Sequence, residues 1–151
     1  MRKTFLPLIF IISNIIIGFS NQNDVDKMLA SPEIERKAKA ALLFENGIKK
    51  YNLGDKKRAI PDFNQSISLD PKNPSVYSNR GLVKSKLGDK KGAIADFDQV
   101  VSLDPKDAIA YYNRGLAKSD LGDNQVAIAD WDEAISLDPK LVQAYVRRGG
   151  P

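Results

Sequence analysis

Of the side chains that most often do chemistry near neutral pH, this sequence of 151 residues has neither histidine nor cysteine. A Ser-His-Asp or Cys-His nucleophile is therefore impossible, as are His- or Cys-ligated metals, iron–sulfur clusters, disulfides and a lipid on cysteine. Acid–base catalysis would fall to carboxylates, lysine or tyrosine brought together in one pocket. The carboxylates come in short runs, Asp96-Phe97-Asp98 and Asp130-Trp131-Asp132-Glu133, without the spaced oxygens and glycine of a calcium loop. They read as solvated acids on helices. We therefore expect no metal, no cofactor and no enzyme. Asn64-Gln65-Ser66 fits the glycosylation pattern but falls mid-helix rather than on a loop, and no glycine-rich phosphate loop occurs.

The remaining charges are periodic. Asp62, Asp96 and Asp130 recur at intervals of 34 residues, as do Lys50, Lys84 and Lys118, and Arg80, Arg114 and Arg148 follow Asn46 at the same spacing. Arginine and lysine four apart share one helical face. Two readings are open. The cations form a basic ladder for an acidic partner, or they are structural ion pairs, Arg80 with Asp96 and Arg114 with Asp130, whose aliphatic stems cover apolar surface. The second is adopted, because the partner charges lie in the chain itself.

The elements that carry these charges repeat with them. Leu-Asp-Pro stands at 69–71, 103–105 and 137–139, and Leu-Gly-Asp at 53–55, 87–89 and 121–123. Residues 74–107 and 108–141 are identical at 20 of 34 positions, and 40–73 and 74–107 at 17, the signature of a solenoid. Each unit reads as two helices. In the second, Asn73-Pro74 starts a helix that Gly88 stops, and Asp89 caps the next. That helix carries Ala93, Ile94, Phe97, Val100 and Val101 on one stripe and ends before Pro105. Ala127, Ile128, Trp131, Ala134 and Ile135 repeat the stripe, as do Ala59, Ile60, Phe63 and Ile67.

With Gly47, Gly81 and Gly115, Ala59, Ala93 and Ala127, Phe63, Phe97 and Trp131, and Pro71, Pro105 and Pro139 at corresponding places, the sequence resembles the tetratricopeptide repeat family. Repeats at 40–73, 74–107 and 108–141 are followed by a partial one at 142–151. The resemblance implies an all-α fold, a right-handed superhelix of antiparallel helix pairs, with the first helix of each unit lining a concave groove. Carried over position by position, the groove comprises Phe44, Ile48, Tyr51, Ser78, Leu82, Ser85, Tyr112, Leu116, Ser119 and Val146, an apolar floor with hydroxyl edges. Family members that clamp a terminal carboxylate use Lys and Asn where this chain has Phe44, Ser78 and Tyr112, and Ile48, Leu82 and Leu116, so that clamp is not expected.

Three departures stand out. Pro61 replaces Ala95 and Ala129 inside a second helix, where it removes a backbone hydrogen bond and clashes with the preceding turn at about 3 kcal/mol, so the first hairpin should be bent and weak. Leu141 is a poor cap, and Gly149-Gly150-Pro151 halts the fourth unit after its first helix. At the other end, Ser31-Pro32-Glu33 starts a helix expected to run unbroken to about Leu53.

Arg2 and Lys3 precede an uncharged stretch, 5–20, that ends at Asn21-Gln22-Asn23-Asp24. Residues 1–20 read as a signal peptide cleaved after Ser20, the alternative being an uncleaved anchor, and 21–31 as a linker to a repeat domain at 32–151. Without residues 1–20, 21 basic residues face 19 acidic ones, interleaved along the chain, which speaks against nucleic acid. The expected function is an exported scaffold (periplasm, lumen or secreted) that binds a peptide or helix of another protein. A membrane-tethered assembly factor and a self-associating fragment of a longer array are the alternatives.

Overall fold

The computed structural model describes residues 21–149. Among them lie eight helices and no strand: α1 Gln22–Leu29, α2 Pro32–Asn52, α3 Lys56–Leu69, α4 Pro74–Lys86, α5 Lys90–Leu103, α6 Ala108–Asp120, α7 Asn124–Leu137 and α8 Val142–Arg148. The described residues divide into two compact parts, 21–39 and 40–149. The signal sequence inferred for 1–20 lies outside the described residues.

Within 21–31, which the sequence assigns to a linker, the chain forms a short helix. Asn21 accepts the backbone N–H of Asp24 at 3.0 Å, and the helix it caps runs through buried Val25 to Leu29. Val25, Met28 and Leu29 stand three and four apart, so this short stretch has an apolar stripe as well as a cap.

The second part is an all-α solenoid in which residues 40–52 of α2 pair with α3, α4 with α5 and α6 with α7, and α8 follows. The turns within the hairpins are built alike. Leu-Gly-Asp puts its glycine at φ +87°, +90° and +90° for Gly54, Gly88 and Gly122, a conformation that closes a helix and that other residues adopt at a cost. Gly88 N–H donates to Ser85 O and Asp89 N–H to Lys84 O, satisfying two carbonyls at the end of α4. The Asp89 carboxylate then accepts the N–H of Gly92, so one residue closes α4 and opens α5.

Packing across each hairpin sets a small residue against a ring. A Cβ on Gly47, Gly81 or Gly115 would lie 2.5, 3.0 or 2.6 Å from Phe63, Phe97 or Trp131. Only glycine lets the first helix approach so closely, and all three rings are buried, clustered with Ala59, Ala93 and Ala127 respectively. Trp131 Nε1 donates to Tyr112 O at 3.3 Å, which gives the buried indole its partner.

Pro61 leaves α3 continuous over Lys56–Leu69. Pro61 and Lys57 are both exposed, so the carbonyl deprived of its donor belongs to the solvent-facing side of α3, where the loss costs less than in a buried helix. At the other end, Leu141 makes no side-chain cap for α8 and is buried against Trp131, Ala134 and Ala144 instead.

Candidate partner-binding face

The periodic charges form a spine inside the stack. Arg80 forks onto Asp96 through Nε–Oδ2 at 3.0 Å and Nη2–Oδ1 at 2.6 Å, and Lys84 Nζ reaches the same carboxylate at 2.9 Å. Arg114, Lys118 and Asp130 repeat this arrangement with the same distances. Asp96 and Asp130 are 2% and 5% exposed, which corrects the reading of these two acids as solvated; Asp98, Asp132 and Glu133 of the two runs face water. Burial of a charge is tolerable where fork and ammonium together satisfy the carboxylate.

Each arginine also reaches the preceding repeat. Arg114 Nη1 donates to Asp98 Oδ1 at 2.8 Å, Arg80 Nη1 to Asn64 Oδ1 at 2.7 Å and Arg148 Nη1 to Asp132 Oδ1 at 3.2 Å. Tyr77, Tyr111 and Tyr145 lie under the three guanidiniums at 5.6, 5.1 and 5.7 Å. The hydrogen bonding of the guanidinium to the Asp130 carboxylate, which accepts, is the main cause that raises the pKa of Arg114, against the opposing effect of burial, so the guanidinium keeps its charge. Sequence reasoning missed the reach to Asn64, Asp98 and Asp132, although they too recur every 34 residues.

The first repeat is built differently. Asn46 replaces the arginine, and Lys50 Nζ approaches Asp62 Oδ2 to 2.6 Å. The approach is off the hydrogen-bonding direction, so that buried oxygen has a neighbouring charge but no hydrogen bond among the described residues. Ser66, which sequence reasoning also missed, donates to Ala40 O at 2.8 Å where Val100 and Ala134 stand in the later repeats.

Most residues carried over to the groove are half-buried. Phe44, Ile48 and Tyr51 pack on the Ala59–Phe63 cluster, Leu82 on Phe97, and Tyr112 and Leu116 on the Trp131 cluster. They therefore support the core as well as offering an inner surface. Lys90 donates to the Ser85 hydroxyl at 3.1 Å, and the Ser119 hydroxyl donates to Asn124 at 3.0 Å, so two of the three serines also tie hairpins together. Ser78 is half-buried and Val146 is 71% exposed.

Two cavities open along the first helices. One, of about 470 Å³, is lined by Tyr112, Val142, Gln143, Val146 and Arg147. The other, of about 370 Å³, is lined by Glu45, Ile48, Lys49, Asn52 and Leu53. Tyr112, Val146 and Ile48 come from the sequence-based groove, which does not gather into one cavity. Asn52, Glu45, Lys49 and Arg147 each sit one residue beyond a groove position, and Gln143 lies off those positions. Among the described residues no acidic group clusters for a metal, and no helix is long and apolar enough to cross a membrane.

A stack of glycine-closed helix hairpins with an inner face of aliphatic, tyrosine and serine side chains defines a helical repeat protein of the interaction type. The family models described as "TPR repeat", at residues 86–122, and "Tetratricopeptide repeat", at 108–141 and 50–73, match the sequence. The chain belongs to the tetratricopeptide repeat family. Among solved structures it is similar to the first TPR of Spaghetti (RPAP3) bound to HSP90 peptide SRMEEVD, at 28% identity over 74% of this chain and 89% of that one, TM-score 0.72. The Arabidopsis OM64 TPR domain matches at 26% identity over 75% and 93%, TM-score 0.72, and MamA at 26% over 82% and 70%, TM-score 0.72. A search of curated proteins finds no match.

Proposed function

We propose that the protein is a scaffold that holds a segment of another protein on the inner face of its repeats. The observation that carries this reading is the division of labour on the first helices: Arg80, Arg114, Lys84 and Lys118 are taken up by buried aspartates, while Ile48, Ser78, Leu82 and Tyr112 keep part of their surface open. The basic ladder is thus neutralised inside the fold, and recognition falls to apolar contact edged by hydroxyls. The similar Spaghetti domain holds a peptide, which supports a peptide or helix segment as the occupant here. Tyr112 is the expected anchor, a large rigid face with one hydroxyl.

Arg2-Lys3 and the uncharged stretch behind them support export from the cytoplasm, with cleavage after Ser20. The mature chain then begins at Asn21 and carries the repeats at 40–73, 74–107 and 108–141 and the partial one at 142–151. Intact mass of the exported protein tests this part: a chain starting at Asn21 supports it, and a retained N-terminus gives the membrane-tethered form.

A photo-cross-linking residue tests the binding face. Placed at Ser78 on α4 it should capture a discrete partner; at exposed Gln99 on α5 it should not. Equal capture at both places would remove the inner face from the account.

A further inference from the structure

The two cavities differ in what surrounds them. At the larger one, Val142 and Val146 are 65% and 71% exposed and stand four apart on one face of α8, with Tyr112 of α6 beside them. Exposed aliphatic area of this kind is stabilised when an apolar group covers it. Its polar edge is Arg147, which is exposed and makes no hydrogen bond or ion pair among the described residues, unlike Arg80, Arg114 and Arg148. Among the described residues from Pro139 onward, the charged side chains are Lys140, Arg147 and Arg148, all basic. At the smaller cavity Glu45 and Lys49 offset each other.

We infer that the Tyr112–Val142–Val146 cavity seats an aliphatic side chain of the partner segment, and that an Asp or Glu next to it in that segment pairs with Arg147. The inference rests on the reading of the inner face as a binding face and assigns that face a chemistry and a direction: the acidic side of the partner segment lies toward α8. An unpaired guanidinium recognises a carboxylate in two-point geometry and disfavours a cation, whereas valine and tyrosine accept any aliphatic group of fitting size. The carboxylate belongs to a side chain within the segment, because the lysine and asparagine that hold a chain terminus in other family members are replaced here by Phe44, Ser78 and Tyr112, and by Ile48, Leu82 and Leu116.

The test uses the full chain with labelled valine methyl groups and a short peptide, acetylated and amidated, carrying Leu-Asp-Glu between serine and glycine residues. Saturable shifts confined to Val142 and Val146 are expected, with binding about tenfold weaker for the Leu-Asn-Gln peptide and for Arg147→Glu. Arg147→Glu should in turn prefer a Leu-Lys-Lys peptide. No shift at millimolar peptide, equal shifts from the acidic and basic peptides, or an Arg147→Glu protein that binds as before would each overturn the inference. Shifts that grow with protein concentration in the absence of peptide would overturn it too, by naming a second copy as the occupant. A partner cross-linked at Ser78 that ignores Arg147→Glu sinks this inference alone; failure of capture at Ser78 sinks the reading beneath it.

Discussion

The first repeat and the two that follow share a fold but not a way of holding it. In the second and third repeats an arginine joins three helices, forking onto a buried aspartate of its own hairpin and reaching back to the one before. The first has only Lys50 against Asp62 and compensates with the Ser66–Ala40 hydrogen bond. Even the backward reach is graded, since Arg114 meets the carboxylate of Asp98 whereas Arg80 meets the neutral amide of Asn64. A repeat array distributes stability through its neighbour interfaces. The polar interface between second and third repeats is therefore the stronger of the two, and the first hairpin is the one expected to open first.

Removing the aspartates separates the regions most sharply. Asp96→Ala leaves Arg80 and Lys84 half-buried without a counter-charge and should cost roughly 3–5 kcal/mol in urea unfolding. Asp62→Ala should cost only about 1 kcal/mol, because Lys50 is open enough to turn to water. Equal losses would erase the contrast.

Pro61→Ala restores a backbone donor on the solvent face of α3. The gain should be about 1 kcal/mol, less than the full penalty of a buried helix proline, and should raise the thermal midpoint by a few degrees. A lower midpoint would mean that the proline suits the path of α3.

The smallest expected effect sharpens the gradation. Asn64→Asp gives Arg80 the same backward partner that Arg114 has and should stabilise the first interface by about 0.3–1 kcal/mol, lost again when Arg80 is also replaced. Hydrogen exchange should show the gain in α3 and not in α7.

Much of this architecture was legible in the residues. The period, the Leu-Gly-Asp turns and the glycine-to-ring packing depend on local conformation and on spacings that repeat, so the sequence carries them openly. The helix Gln22–Leu29 was hidden because eight polar-rich residues look like a connector until Asn21 is seen as a cap. The burial of Asp96 and Asp130 was equally hidden, since an aspartate in a helix reads as solvated until the fork that covers it is in place. The residues carried over to the inner face lie on the first helices but do not share one cavity: which half-buried side chain leaves space beside it depends on how adjacent first helices are set apart, and that is a property of the stack. For the same reason Tyr112 and Leu116 cannot be removed together without cost, since both also support the Trp131 cluster.

The central claim is that partners bind the inner face while the cation spine serves the fold. Ser78→Arg tests it most directly, because Ser78 lies on α4 midway along that face, is half-buried, and its hydroxyl makes none of the hydrogen bonds that tie the hairpins together. The quantity to measure is the affinity of the partner captured at that position. The account predicts a loss of about tenfold or more, with a helical spectrum and an unfolding midpoint close to those of the unaltered protein. Unchanged affinity in a folded Ser78→Arg protein would contradict it.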